Sequence, residues 1–190
     1  MKYLIFFILL APLKCLSQEI PIIDEKIIYE RIYDYPNASK DAIYGAAKRF
    51  IGIYFKSAKS VIQSEDINTG LIICKGNISS RETYDNSWWY GSKSVGGTFH
   101  FTMQFDVKNG KVRLRIFDIH TDDASSYSMY GSSLEDIVFK LAKEVNRSQG
   151  KTKEKRLQKY NVNANLLSTT FYGVMEVANN NIKESLTDAW

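Results

Sequence analysis

Apolar and polar residues alternate most regularly in the segment GTFHFTMQFDVKNGKVRLRIFDIH, residues 97–120. A period of two over this length is typical of strands with one buried face. Asn109-Gly110 divides the segment, and this dipeptide favours a two-residue type I′ turn. The pattern therefore predicts a β-hairpin with one face in the core and the other in solvent.

The turn position sets the register of this hairpin. On the core face the predicted pairs are Val107–Val112, Phe105–Leu114 and Met103–Ile116, and on the other face Asp106–Arg113 and Gln104–Arg115. Opposite charges across neighbouring strands stabilise a sheet by a few tenths of a kcal/mol up to about 1. Continued without a break, the same register places His100 opposite Ile119 and on the face away from His120.

The rest of the chain divides into shorter elements. Strands are predicted over residues 25–35, 57–66 and 69–79, with a loop from Ser80 to about Gly97. Helices are predicted over residues 39–55, where Ser39 can act as N-cap, and 131–150, where Ser132 and Glu135 fit a capping box. Roughly helical spacing of apolar residues after Lys151 predicts a third, long helix.

This order, strand–helix–four strands–helix (β-α-β-β-β-β-α), predicts an α+β fold. We expect a curved antiparallel sheet of about five strands with the helices on one face. The predicted domain covers residues 26–150, and residues 151–190 form a helical C-terminal extension.

The first residues have the pattern of a secretory signal peptide. Lys2 supplies the positive charge, Leu4 to Leu10 are apolar, and Cys15-Leu16-Ser17 offers small residues before a cut at Gln18. Residues 1–17 are therefore predicted to be removed, leaving residues 18–25 as a leader. Lipidation of Cys15 is the alternative, and Lys14 argues against it because that processing favours a small residue there. No segment predicts a transmembrane helix.

Removal of the signal peptide changes both the net charge of the chain and the number of its cysteines. Removing Lys2 and Lys14 lowers the formal net charge from +4 to +2, so a nucleic-acid partner is not expected. Cys74 remains as a single thiol in an apolar run and is predicted to be buried and inert.

Four segments carry a specific resemblance: CLSQ at the end of the leader, SKDAIYGAAKRFI, VIQSEDINTGLIICKG and FDVKNGKVRLRIFDI. Together they resemble domain of unknown function 4468, a family of exported bacterial proteins with a TATA-box-binding-protein-like (TBP-like) fold. The resemblance covers about residues 25–147 and implies that fold. It supplies no catalytic residues and no cofactor, and none is expected.

Two surfaces are candidate binding sites for a protein, peptide or glycan. One is the aromatic loop with Tyr84, Trp88, Trp89 and Tyr90, because exposed rings stack on sugars or anchor partners. The other is the solvent face of the hairpin, where Arg113 and Arg115 lie. The same patterns also fit a loop that folds its rings inward and an ordinary solvated sheet face.

The segment FDIHTDD is a candidate metal site. Asp118, His120 and Asp122 alternate, so an extended strand directs them to one side. Carboxylates with one imidazole suit a hard or borderline cation. A strand running into a polar loop gives the same pattern.

The leading hypothesis for the whole protein is a noncatalytic exported binding or scaffold domain. The alternative is a secreted hydrolase or metal-dependent enzyme that uses Asp118, His120 and Asp122.

The signal-peptide interpretation predicts the mass of the exported product. We expect a chain that begins at Gln18 and carries no lipid, because the cut before Gln18 removes Cys15. Intact-mass spectrometry of the exported protein measures this directly. A diacylglyceryl adduct on Cys15 would place the protein on a membrane instead.

Overall fold

The computed structural model describes residues 19–85, 92–122 and 133–187. Two short strands, β1 (Ile22–Ile23) and β2 (Lys26–Ile27), come first in the chain. The strands of the main sheet are β3 (Tyr29–Asp34), β4 (Ile62–Asp66), β5 (Leu71–Asp85), β6 (Ser92–Lys108) and β7 (Lys111–Thr121). This sheet is antiparallel and five-stranded, with the order β3-β7-β6-β5-β4. The helices are α1 (Lys40–Tyr54), α2 (Ala58–Val61), α3 (Leu134–Asn146) and α4 (Gly150–Thr187). The predicted α+β fold with a five-stranded antiparallel sheet is confirmed.

The register of the β6–β7 hairpin is as predicted from Lys108 back to Thr102. The turn type is different. Gly110 has a φ of 73°, whereas Asn109 is outside the left-handed region, which is the pattern of a type II turn. Contacts with the start of α1 account for this, because the Lys40 N–H donates to Asn109 Oδ1 at 2.9 Å. The predicted type I′ turn is therefore wrong, although the pairing it implied is right.

A β-bulge breaks the register beyond Thr102. Phe101 faces two residues of β7, Asp118 and Ile119, and the pairing resumes with His100 opposite His120. Asp118 has a φ of 54°, which lets the strand absorb the extra residue. The prediction that His100 opposes Ile119, away from His120, is wrong for this reason.

The predicted loop from Ser80 to Gly97 is largely strand. β5 continues to Asp85 and β6 begins at Ser92, and the two pair through Asp85 and Ser92. Polar residues dominate this stretch, so the apolar alternation that identifies a strand is missing there. Gly96 has a φ of 113°, and its backbone lies close to the Ser80 carbonyl and to the side chain of Leu166 in α4.

Two predicted strands begin differently. The segment 57–66 opens with the short helix α2 and becomes a strand only at Ile62. Ala and Lys favour helix, which explains the change. The segment 25–35 is interrupted, because β1 (Ile22–Ile23) and β2 (Lys26–Ile27) form a separate small hairpin before β3. Its turn residues Asp24 and Glu25 both have positive φ.

The helix starts follow capping chemistry. Ser39 caps α1, and its side chain accepts from the Ala42 N–H at 3.2 Å, as predicted. For α3 the cap is Ser133, which accepts from the Asp136 N–H at 3.2 Å. The predicted box of Ser132 and Glu135 is therefore displaced by one residue, and Ser132 itself is outside the described residues. Helix α3 packs through one apolar stripe, whose members are all buried: Leu134, Ile137, Val138, Leu141 and Val145.

Helices α1, α3 and α4 pack on one face of the sheet, which buries the core between the two layers. The long helix predicted after Lys151 is present, and it lies against the sheet. Phe171 is fully buried, and its ring centroid lies 5.0 Å from Tyr29, 5.9 Å from Phe99 and 5.8 Å from Phe101. Helix α4 therefore contributes to the same core as the hairpin.

This packing predicts that Phe171→Ala lowers the free energy of unfolding by about 3–5 kcal/mol, because it leaves a cavity between α4 and the sheet. Val177→Ala, on the same helix but 41% exposed, should change it by no more than about 0.5 kcal/mol. Urea denaturation of both variants measures the difference. Similar values for the two would show that α4 does not pack on the sheet as described.

Candidate functional site

The face of the sheet opposite the helices, here called the outer face, carries polar side chains in rows across β5, β6 and β7. Asn77, His100 and His120 form one row. Ser79 and Thr98 lie side by side in the next row, toward Asp122, whose N–H donates to the Thr98 carbonyl at 3.2 Å. The bulge at Asp118 creates these rows, since without it the two histidines would lie on opposite faces.

The two histidines each pair with a carboxylate. His100 Nε2 lies 2.5 Å from Asp122 Oδ2, and His120 Nε2 lies 2.9 Å from Asp118 Oδ1. Because an ionised carboxylate only accepts, the Nε2 atom carries the proton in both pairs. In the neutral ring Nδ1 then accepts a hydrogen bond, and in the protonated ring it donates one.

Asp118 has a second partner, since the Thr102 hydroxyl donates to its Oδ2 at 3.3 Å. The hydrogen bond from His120 is the largest influence on the Asp118 carboxyl and lowers its pKa below the ordinary aspartate value. Asp118 is thus held ionised between a ring donor and a hydroxyl donor.

A cleft of about 380 Å³ lies beside the pairs and is lined in part by His100, Asp118 and His120. Its other wall comes from the end of α1 and from α2, with Tyr54, Phe55, Lys56 and Val61. Lys75 and Asn77 of β5 line it as well. The cleft therefore offers aromatic rings, two lysine side chains, the His100 imidazole and the His120–Asp118 pair to one ligand.

The candidate arginines lie farther along the outer face and share one carboxylate. Arg113 Nε donates to Asp106 Oδ2 at 3.1 Å, and Arg115 Nη2 donates to the same oxygen at 3.3 Å. Gln104 donates to the other oxygen at 2.8 Å. Both arginines are thus oriented by Asp106, and they do not line the cleft beside the histidines.

The three residues of the candidate metal site belong to two separate pairs, the second of which includes His100. Asp118 binds His120, whereas Asp122 binds His100. Within residues 19–85, 92–122 and 133–187, no group of three or more His, Cys, Asp or Glu side chains is arranged to hold a metal ion. In this geometry the three residues do not converge as one ligand set.

The aromatic candidates cannot be placed in the same way. Trp88, Trp89 and Tyr90 lie outside the described residues. Tyr84 is in β5 opposite Lys93, and its side chain is outside what the structure describes. Cys74 is buried, and burial raises the pKa of its thiol to about 12, as expected for an inert thiol.

Sequence reasoning missed most of the cleft. The alternation gives no sign of a one-residue bulge, so it places His100 on the face away from His120. Tyr54 and Phe55 read as the last turn of a buried helix, and nothing local places them beside Asn77. Only the alternation of Asp118, His120 and Asp122 indicated this end of the sheet.

Comparison with known proteins identifies the class. Residues 29–122 match the profile of DUF4468, a domain of unknown function with a TBP-like fold. The fold is similar to a TBP-like protein from Parabacteroides distasonis ATCC 8503, with a TM-score of 0.56 and 14% identity over 90% of this chain and 99% of that one. A DUF4468 family protein from Bacteroides ovatus ATCC 8483 gives the same TM-score and identity over 90% of this chain and 91% of that one.

The chain therefore belongs to the DUF4468 family through its domain at residues 29–122, as the resemblance implied. Coverage of 90% of this chain cannot be reached without part of α4, so the likeness in fold extends into this C-terminal helix. None of the curated proteins compared with the chain matches it.

In the part of the chain that the structure describes, no helix is long and apolar enough to cross a membrane.

The Asp118–His120 pair predicts a pH dependence. Since the pKa of Asp118 is lower in the folded than in the unfolded chain, the pair adds stability above the ordinary aspartate pKa. This contribution is lost as the pH falls through the folded pKa. His120→Ala should raise the pKa of Asp118, whereas His100→Ala, which removes the partner of Asp122, should leave it unchanged. Carbon-detected NMR titration of the Asp118 carboxyl distinguishes the two variants, and equal shifts would contradict the pairing.

Proposed function

We propose that this domain is a noncatalytic binding module that is exported and holds a peptide or glycan of an extracytoplasmic partner in the outer-face cleft. The observation that carries the proposal is the presence of two imidazole–carboxylate pairs on the outer face, beside an open cleft whose other wall comes from the end of α1 and from α2. The signal-peptide pattern of residues 1–17 supports a role in the periplasm or at the cell surface.

The chemistry of the cleft suits hydrogen-bonded recognition. Each carboxylate fixes the tautomer and orientation of one imidazole, so the Nδ1 atoms are available to a ligand in a defined geometry. Tyr54 and Phe55 supply ring surface at the other wall. A few oriented polar groups beside aromatic surface is the usual composition of small-ligand and peptide sites.

A secreted hydrolase remains the alternative, because an imidazole held by a carboxylate can act as a general base. Three features favour binding instead. Both histidine side chains are exposed, at 45% and 43%. The nearby hydroxyls already have partners, since Ser79 pairs with Thr98 and Thr102 donates to Asp118. The cleft is open, so it does not exclude water from a reacting group.

The test is capture by immobilised peptides and glycans. The chain starting at Gln18 should bind a defined subset, and His100→Ala and His120→Ala should each weaken binding by about tenfold or more, equivalent to about 1.4 kcal/mol. Glu30→Ala, an exposed change on the edge strand β3, is the matched control and should bind as wild type does.

Two results would contradict the proposal. One is wild-type protein that captures nothing on either array. The other is capture that both histidine variants retain in full. Turnover of a p-nitrophenyl ester or glycoside by wild type, lost in His120→Ala, would support the hydrolase instead.

A further inference from the structure

Positive charge is concentrated where α3 ends and α4 begins. Residues 139–159, here called the basic corner, contain eight Lys and Arg against two Glu, a formal charge of +6. The whole chain carries +4, so the remaining residues together carry −2. A charge difference of this size within one chain is a feature of proteins that meet an anionic surface.

The basic corner is held by specific hydrogen bonds. Arg156 Nη1 donates to the Glu144 carbonyl at 3.1 Å and to Ser148 Oγ at 2.7 Å, and Ser148 Oγ donates to the Glu144 carbonyl at 2.6 Å. These bonds satisfy a carbonyl in the last turn of α3. They also fix the start of α4 against the end of α3, so the neighbouring cations lie on a surface of defined shape.

The exposed side of α3 combines cations with an aromatic ring. The apolar stripe of this helix faces the core, and Lys140, Lys143 and Arg147 are exposed on the other side. Phe139 is 39% exposed and lies one helical turn from Lys143. An aromatic ring among cations on one helix face is typical of helices that lie at a lipid interface.

The first turns of α4 carry charge in positions that are unfavourable for a helix. Residues 151–158 are all exposed, and the first turn has no acidic residue. Lys151 and Lys153 lie at the end where the helix dipole favours an anion. Lys151, Lys155 and Lys159 repeat at four-residue spacing, which brings like charges together and destabilises a helix. An anionic partner would offset both effects.

We propose that the basic corner docks the protein on an anionic lipid surface, with its lysines over the headgroup phosphates and Phe139 in the headgroup region. The cations are spread over two helices, so they match an extended anionic surface better than a single acidic group. The signal-peptide pattern of residues 1–17 favours a membrane over nucleic acid as that surface. The inference does not depend on the proposed binding function, since the outer-face cleft is lined by other residues.

Vesicle sedimentation tests this proposal on the chain starting at Gln18, which keeps every described residue. The protein should sediment with vesicles of equal parts phosphatidylglycerol and phosphatidylcholine, but not with pure phosphatidylcholine. Salt at about 1 M, where the Debye length is about 3 Å, should release it. Equal binding to the two kinds of vesicle, or binding to neither, would overturn the proposal.

The triple variant Lys140→Gln, Lys151→Gln, Lys155→Gln removes three exposed cations from the basic corner. Its affinity for the anionic vesicles should fall on the order of 100-fold, because each Lys or Arg near such a surface contributes about fivefold.

The matched control is Lys108→Gln, Lys111→Gln, Lys183→Gln, which removes three exposed lysines at the other end of the molecule. Lys183 lies about 48 Å along α4 from Lys151. The control should bind the vesicles as wild type does. An equal loss in the two triple variants would show that net charge alone decides binding, and the basic corner would then not be the docking surface.

Phe139→Ala tests the aromatic contact. Affinity for the anionic vesicles should fall about fivefold, because the ring no longer enters the interface, whereas the salt dependence should stay as in wild type. Ile53→Ala, on α1 and 61% exposed, is the control and should bind as wild type does. Unchanged binding of Phe139→Ala would contradict the placement of its ring in the headgroup region.

A different occupant would give a different result with the same proteins. If wild type binds a polyglutamate chain or a DNA duplex but no anionic vesicle, the basic corner binds an acidic macromolecule and the lipid proposal is wrong. The Lys140, Lys151 and Lys155 variant should keep the ligands captured on peptide and glycan arrays, because none of these lysines lines the cleft. The two proposals can therefore fail separately.

Discussion

The structure depends on the junction between the β6–β7 turn and the start of α1. Gly110 donates its N–H to the Ala38 carbonyl at 3.0 Å and accepts the Tyr35 N–H at 2.6 Å, while Asn109 accepts the Lys40 N–H. These bonds tie the end of β3, the beginning of α1 and the central hairpin to one point. They fix the pairing of β6 with β7 and the position at which α1 starts across the sheet. The core face then follows, since a strand slipped by one residue would turn every apolar side chain outward.

Much of this could be predicted from the sequence, because the hairpin signals are local. Alternation identified the core face, and Asn109-Gly110 identified the pairing from Lys108 to Thr102. The turn type was not predictable, because it responds to contacts with Lys40 and Ala38, which are distant in sequence. The distal part of β5 and β6 could not be predicted, because its residues are mostly polar and therefore lack the apolar alternation that identifies a strand.

The long helix illustrates a second limit. Its periodicity is weak, because its first turns are exposed and only the part from about Asn163 onward packs on the sheet. That part buries apolar residues around Phe171, and also Asn163 and Ser168. The Tyr29 hydroxyl is buried against the same helix, and burial raises its pKa above the ordinary value. A pattern that mixes buried polar groups with apolar ones predicts a helix but not the surface on which it docks.

The candidate site lies where the regularity of the sheet ends. One irregularity is the bulge at Asp118 in β7, which turns His120 toward His100. Another is the register shift between Ile62 and Ser64 in β4, just where that strand leaves β5. Both lie near the same cleft, whereas β3 pairs with β7 without a break from Tyr29 to Asp34. The bulge in β7 and the early end of β4 each interrupt the regular pairing of the sheet. The bulge thus leaves the side chains of His120 and Asp118 exposed on the outer face rather than buried in the core.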